Sequence, residues 1–355
     1  MLTKKLRWEY LSSSREILYG FSTLWIMIFH CYHVDIERFI PSARWSWLND
    51  LIDVGNVGCE IFLILSGVGL YYSFHKDHDA RRFYKKRLFR LMLPLLLIWF
   101  PYWVFQLCTG ELKFGQLLLS VSLVRIFVDG TENVWFVSLI ALGYAIYPFL
   151  YPLIDQEQRS KSFGVLMTVT LLLIWVIQQV FPGFYNNTEI LLHRLPVFFT
   201  GCWLAPKVYR REESSIWLLP LSLIVFAAWF FIEENVRLSN YSFRTLYLFG
   251  GLALTILLSW LFSVVRIPGV TMLLRFIGKI SLECYMTHLV LIRLYKEGLF
   301  IYPYIPDDRK RYLGLLAVAI VVAWIVKQIE TLFMKYVFPR RTAGFPEAKL
   351  QPEKS

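Results

Sequence analysis

Two histidines, His30 and His33, stand at one end of the apolar stretch Ser14 to His33, and Arg15 and Glu16 stand at the other. The last two-thirds of the stretch is apolar enough for a bilayer, where an ionisable side chain is costly and marks a functional site. A neutral imidazole is the usual general base near pH 7, and a carboxylate beside it fixes its tautomer and stabilises the imidazolium. His30 is therefore the first catalytic candidate, while His33 at the run's edge reads as interfacial. Glu60, in the next apolar run, is its candidate partner. Counted from the far ends of their runs at 1.5 Å per residue, the two differ in depth by only roughly 5 Å. The competing reading pairs Glu60 with a buried arginine, Arg194 or Arg293, because charges inside a membrane usually pair.

Spacing supplies the other candidates. Arg87 and Arg90 fall three apart on one face of the helix entering the third run, and their planar forks suit phosphate. Their neighbours Arg81, Arg82, Lys85 and Lys86 read as plain topology charge. Ser281, Tyr285 and His288 recur at spacings of four and three, so they share a helix face that lines a polar cavity or makes a hydrogen-bonded helix contact. Arg194 and Arg293 can hold an anionic acceptor or neutralise Glu60 and Glu189. Ser66-Gly67 offers close helix packing first and chemistry second.

The elements that must position these residues follow from composition. Of 355 residues, 57% are hydrophobic and only 18% are charged, against about 25% charged in a soluble domain. The fold class is all-α, a polytopic membrane helix bundle. Apolar runs near 20 residues give ten spans, at about 17–33, 54–74, 91–108, 134–153, 163–181, 190–206, 216–232, 245–264, 281–297 and 312–335. The run 116–127 is too short to cross and contains Arg125, so it is assigned to an interfacial or re-entrant helix. With the N-terminus inside, about 24 of the 37 Lys and Arg fall in inner segments against about nine in outer loops, which places both termini in the cytoplasm. Residues 1–16 then form a cytoplasmic start, 17–335 one membrane unit and 336–355 a disordered tail. The aromatic outer loops PSARWSWLND, PGFYNNTE and IYPYIPDD read as an interfacial belt or an outward mouth.

A net charge of +11 does not imply nucleic acid, because the cations concentrate in alternate connections rather than on one face. The five cysteines, Cys31, Cys59, Cys108, Cys202 and Cys284, lie in or at the ends of apolar runs without metal-ligand spacing, so they read as buried small hydrophobes and no metal is expected. No cleavable signal peptide is evident, and the first run stays as the first span.

Four stretches taken in order carry a family resemblance: the apolar helix ending in Phe29-His30, VGCEIFLILSGVGLYYS from Val57, FYKKRLFRLMLP from Phe83, and KISLECYMTHLVLI from Lys279. Together they resemble the acyltransferase-3 family of bacterial membrane O-acyltransferases. The resemblance implies a ten-span protein of the bacterial cytoplasmic membrane that moves an acyl group, usually acetyl from cytoplasmic acetyl-CoA, onto a hydroxyl of a surface or lipid-linked glycan. His30 matches the family's first-span histidine and Glu60 its second-span acidic position. Ser66-Gly67 matches the SG pair, Arg87 and Arg90 the arginines before the third span, Trp135-Phe136 the WF pair, and Ser281, Tyr285 and His288 the late S-x-x-x-Y-x-x-H pattern. One position departs: where many members carry arginine eleven residues before the histidine, this chain has Tyr19, with Arg15 one helical turn earlier.

The combined expectation is an O-acyltransferase with His30 and Glu60 catalytic. Arg87, Arg90, Ser281, Tyr285 and His288 face the acetyl-CoA donor, and Arg194, Arg293, Trp135 and Ser66 face the glycan acceptor. The rival from another class is a transporter or flippase with charged residues lining a path, which predicts internal pseudo-symmetry; no repeat is visible. A rival within the class moves succinyl or a longer chain, and Tyr19 keeps it open.

Overall fold

The computed structural model describes residues 5–35, 46–131, 133–299 and 308–337. The tail expected from 336 lies outside the described residues except for Tyr336 and Val337, which end a helix, and much of the loops 41–50 and 301–308 lies outside them as well.

Helices follow the apolar runs because hydrocarbon offers no hydrogen bonds, so each segment must satisfy its own backbone. A single turn, α1 (Tyr10–Ser13), precedes α2 (Arg15–Asp35), and α3 (Ser46–Asp53) leads into α4 (Gly58–Lys76) and then α5 (Ala80–Cys108). Short α6 (Phe114–Val121) and α7 (Arg125–Asp129) occupy the 116–127 region and join α5 to α8 (Trp135–Ile154). Then come α9 (Arg159–Val180), α10 (Pro182–Leu192), α11 (Leu195–Tyr209), α12 (Leu218–Asn235) and α13 (Asn240–Val264). The chain continues as α14 (Pro268–Lys279), α15 (Ser281–Lys296) and α16 (Asp308–Val337). The only sheet among the described residues pairs β1 (Lys5–Arg7) antiparallel with β2 (Glu213–Ser215), Arg7 opposite Glu213. The protein is an all-α polytopic membrane bundle.

The ten expected spans divide into two kinds. Among the described residues seven helices are long and apolar enough to cross a membrane, including α9 and α12, whose most apolar windows are only 6% and 11% buried and so face lipid. The other three are inner helices. Two of them, α11 and α15, have just 15 and 16 residues, and the third, α2, carries Arg15, Glu16, His30 and His33. With α4, 13 of whose 19 residues are buried, they hold most of the candidate residues.

Small residues bring the inner helices into backbone contact. A Cβ on Gly67 would lie 2.5 Å from the Cys202 backbone nitrogen, and one on Gly201 would strike the Ile64 carbonyl, so α4 and α11 touch along their axes. The packing role of Ser66-Gly67 is thus visible directly. Gly20 abuts the Leu274 carbonyl and Gly278 the Glu16 carbonyl in the same way, which seats α14 on the start of α2. At the start of α5, the Asp79 carboxylate accepts hydrogen bonds from the backbone N–H groups of Arg81 and Arg82, an N-cap that fixes where the helix begins and hence which face presents Arg87 and Arg90. Four cysteines are buried as expected, but Cys108 is exposed, a correction explained by its place at the last residue of α5, beyond the packed helices.

Candidate functional site

His30 and His288 meet across α2 and α15, with His30 Nδ1 and His288 Nε2 2.8 Å apart. His288 is fully buried, and its Nδ1 lies 2.8 Å from the Cys284 carbonyl oxygen one turn back on its own helix. A carbonyl oxygen only accepts, so His288 Nδ1 carries a proton and, in the neutral ring, Nε2 is an acceptor. His30 Nδ1 must then donate, which leaves the Nε2 lone pair of His30 free. Two imidazoles chained to a backbone carbonyl thus fix one ring nitrogen as a base. His288 occupies the orienting position that the sequence assigned to Glu60.

Below this pair lies a cavity of about 160 Å³. His288, Tyr285, Phe62, Phe136, Ile26 and Ile140 line its upper part, and Arg15, Arg87, Arg90 and Ser281 line it at the end where α2, α5 and α15 begin, with Tyr19, Ser66 and Tyr144 between. Ser281, Tyr285 and His288 therefore share a face, and the face lines a polar cavity. Phe136 packs on Tyr285 at 5.2 Å between ring centroids, and Tyr285 on His288 at 5.9 Å. The Arg87 guanidinium rests over the Tyr144 and Phe83 rings at 5.5 and 5.6 Å, and its buried Nε has no hydrogen-bond partner. Among the described residues none of Arg15, Arg87 and Arg90 forms an ion pair. Three like charges around one cavity repel one another, an arrangement that an anion would relieve.

The second charged site is closed. Glu60 on α4 is fully buried and meets Arg194 at 2.8 Å, Nε to Oε1, although the angle is not that of an aligned hydrogen bond. The Arg194 guanidinium is sandwiched by the rings of Trp135, at 4.8 Å, and Tyr247, at 5.6 Å, and its Nη1 donates to the Ile190 carbonyl. Gly251 on α13 makes room for the Glu60 side chain. Glu60 is thus held by Arg194 rather than by His30, and Trp135 covers that arginine. Glu189 pairs with Arg244 at 3.3 Å. Arg293, at the opposite end of the bundle from Arg87, is exposed and donates to the Asn133 side chain at 2.6 Å. His33 meets Asp53 at 2.7 Å, as suits an interfacial residue.

Sequence reasoning missed Tyr144, for which an isolated tyrosine in an apolar run gave no signal. It also missed a buried charged group on α15 and α16, where Lys327 Nζ lies 3.0 Å from Glu283 and 2.8 Å from Glu330. Lys327 and Glu330, three apart within an apolar helix, were readable as membrane charges that need partners. Arg15 and the departing Tyr19 both line the cavity, and Tyr19 stacks on Phe62 at 4.9 Å.

Compared with known proteins, residues 16–327 match a family model described as an acyltransferase domain. No curated protein and no solved structure matches the chain. The matched span takes in both histidines, the Glu60–Arg194 pair and every cavity residue except Arg15, which immediately precedes it.

Proposed function

The chain belongs to the acyltransferase-3 family, and from that premise we propose that it moves a short acyl group, acetyl in the first instance, from cytoplasmic acyl-CoA to a hydroxyl of a surface or lipid-linked glycan. It is a multi-pass membrane acyltransferase. The reading places it in the bacterial cytoplasmic membrane with the arginine end of the cavity inside.

One observation carries the proposal. An unpaired arginine cluster and His288, which is hydrogen-bonded to His30, line one cavity. The CoA phosphates take the place of the missing counter-ions at Arg87, Arg90 and Arg15, where charge-assisted forks are strongest. Fifteen residues of α2 separate Arg15 from His30, roughly 22 Å at the helical rise. The donor must therefore present its thioester on a long, thin arm, as acyl-CoA does. The acceptor oxygen attacks the thioester carbonyl carbon while its proton passes to His30 Nε2. The new C–O bond forms, the C–S bond breaks, and the proton moves from the imidazolium to the departing thiolate. His288 Nε2 accepts from the imidazolium throughout, which stabilises the charge that develops. Glu60 in this scheme anchors α4 to Arg194 and touches no substrate. The apolar walls near His288, with Phe62, Phe136 and Ile26, favour a small neutral acyl group over a charged succinyl.

The test is thioester turnover by purified protein in nanodiscs, following free CoA thiol with acetyl-CoA and a pool of envelope glycans. His30→Ala should lower release by about 10²–10⁴-fold, the usual contribution of a general base. Release that persists in the variant would remove His30 from the chemistry.

A further inference from the structure

Between the end of α13 and the start of α15 the chain forms α14, an element with three distinct faces. Leu274, Ile277 and Gly278 are buried against α2. Met272, Leu273 and Phe276, 73%, 52% and 40% exposed, form an uncovered apolar sector. At 100° per residue Arg275 and Lys279 lie together on the flank between these two faces. Both cations are exposed, and among the described residues neither forms an ion pair. The helix sits where two bundle helices end, at the same end as Arg15, so it lies at the membrane boundary rather than within or beyond it. An apolar sector flanked by cations at that depth is the pattern of a helix lying in the plane of the interface.

The same helix is part of the cavity. Gly278 lines it, as do Ser281 and Leu282 immediately after α14, and α14 touches α2 backbone to backbone through Gly20 and Gly278, so it has no slack to move without moving that wall.

We propose that α14 seats on the anionic lipid headgroups of the leaflet at the arginine end, its apolar sector among the acyl chains and Arg275 and Lys279 on the phosphates, and that this seat holds one wall of the cavity in place. Net anionic headgroups are specified by charge complementarity, because two unpaired cations beside an inserted apolar face gain from an anionic surface and not from a zwitterionic one. The effect on turnover rests on the proposed function, whereas lipid binding does not.

The experiment uses the full chain in nanodiscs of phosphatidylcholine alone or with phosphatidylglycerol. Phosphatidylglycerol retained on the protein is counted by native mass spectrometry with no acyl donor present. Wild type should retain it, and Arg275→Gln/Lys279→Gln should retain less, by roughly fivefold in affinity for each cation lost. Turnover should be higher in the anionic discs for wild type only, with the two proteins equal in phosphatidylcholine. Equal retention by wild type and variant would overturn the lipid seat. Equal wild-type turnover in both discs, from a protein that is active, would overturn its coupling to the cavity. An enzyme inactive in both discs that still retains lipid through Arg275 and Lys279 would count against the proposed function and leave the seat standing.

Discussion

Two arginine sites lie inside this bundle, and they are built oppositely. Arg194 meets Glu60 at 2.8 Å with both side chains buried, and aromatic rings close over the guanidinium. Arg15, Arg87 and Arg90 line one cavity without a carboxylate among them. The first site is neutral as it stands. The second holds three cations with no carboxylate in the cavity lining. A paired charge in a membrane protein ties helices together, whereas an unpaired cluster around a cavity stores binding energy for a ligand. On the proposed function, the difference separates residues that keep the protein folded from residues that handle substrate, and neither class follows from residue type alone.

Substitution should separate the two sites by what fails. The largest change is expected at the closed site: Arg194→Ala leaves Glu60 buried and unpaired, which costs about 3–5 kcal/mol of stability and should appear as a lower unfolding temperature and poor recovery from the membrane. Replacing both partners, Glu60→Leu with Arg194→Met, should restore most of that loss. At the open site the effects reverse. Arg87→Ala/Arg90→Ala should fold as well as wild type, and each lost charge-assisted contact, worth about 1.5–3 kcal/mol, should raise the KM for acyl-CoA by roughly 10–100-fold. His288→Leu should act on kcat with little change in KM, since it removes the acceptor that orients His30; an unchanged kcat would show that His30 is positioned without it. Arg15→Ala, at the exposed rim, should be the mildest, raising KM several-fold with kcat unchanged in steady-state assays.

Much of the fold was legible because hydropathy reports directly on what a bilayer tolerates, and the seven long apolar helices follow the runs closely. The inner helices α2, α11 and α15 were legible in the same way, from the runs at 17–33, 190–206 and 281–297, although the 190–206 run divides between the end of α10 and α11. Depth counting put His30 and Glu60 at similar levels, whereas α2 and α4 pack with Phe29 against Gly55, Ile26 against Gly58 and Tyr19 on Phe62, which sets Glu60 about two turns away from the level of His30. Depth also carries no azimuth. Glu60 points toward α11 and α13, to Arg194 and the space above Gly251, while His30 meets α15. The shared face of Ser281, Tyr285 and His288 was readable because helical spacing does encode azimuth along one helix. It does not encode azimuth between helices, which is why the His30–His288 contact was not foreseen. The small β1–β2 pair and α14 escaped for another reason, since three-residue strands and a 12-residue boundary helix fall below what apolar runs reveal.

The contrast between the two sites is tested most directly by titrating CoA into purified protein and reading the heat of binding for wild type, Arg87→Ala/Arg90→Ala and Glu60→Leu/Arg194→Met. Binding is expected in wild type and in the Glu60–Arg194 replacement, with loss of at least an order of magnitude in affinity for the cavity variant. Undiminished binding by a folded Arg87→Ala/Arg90→Ala protein, or binding lost only with the Glu60–Arg194 pair, would show that the open cluster is not the donor site.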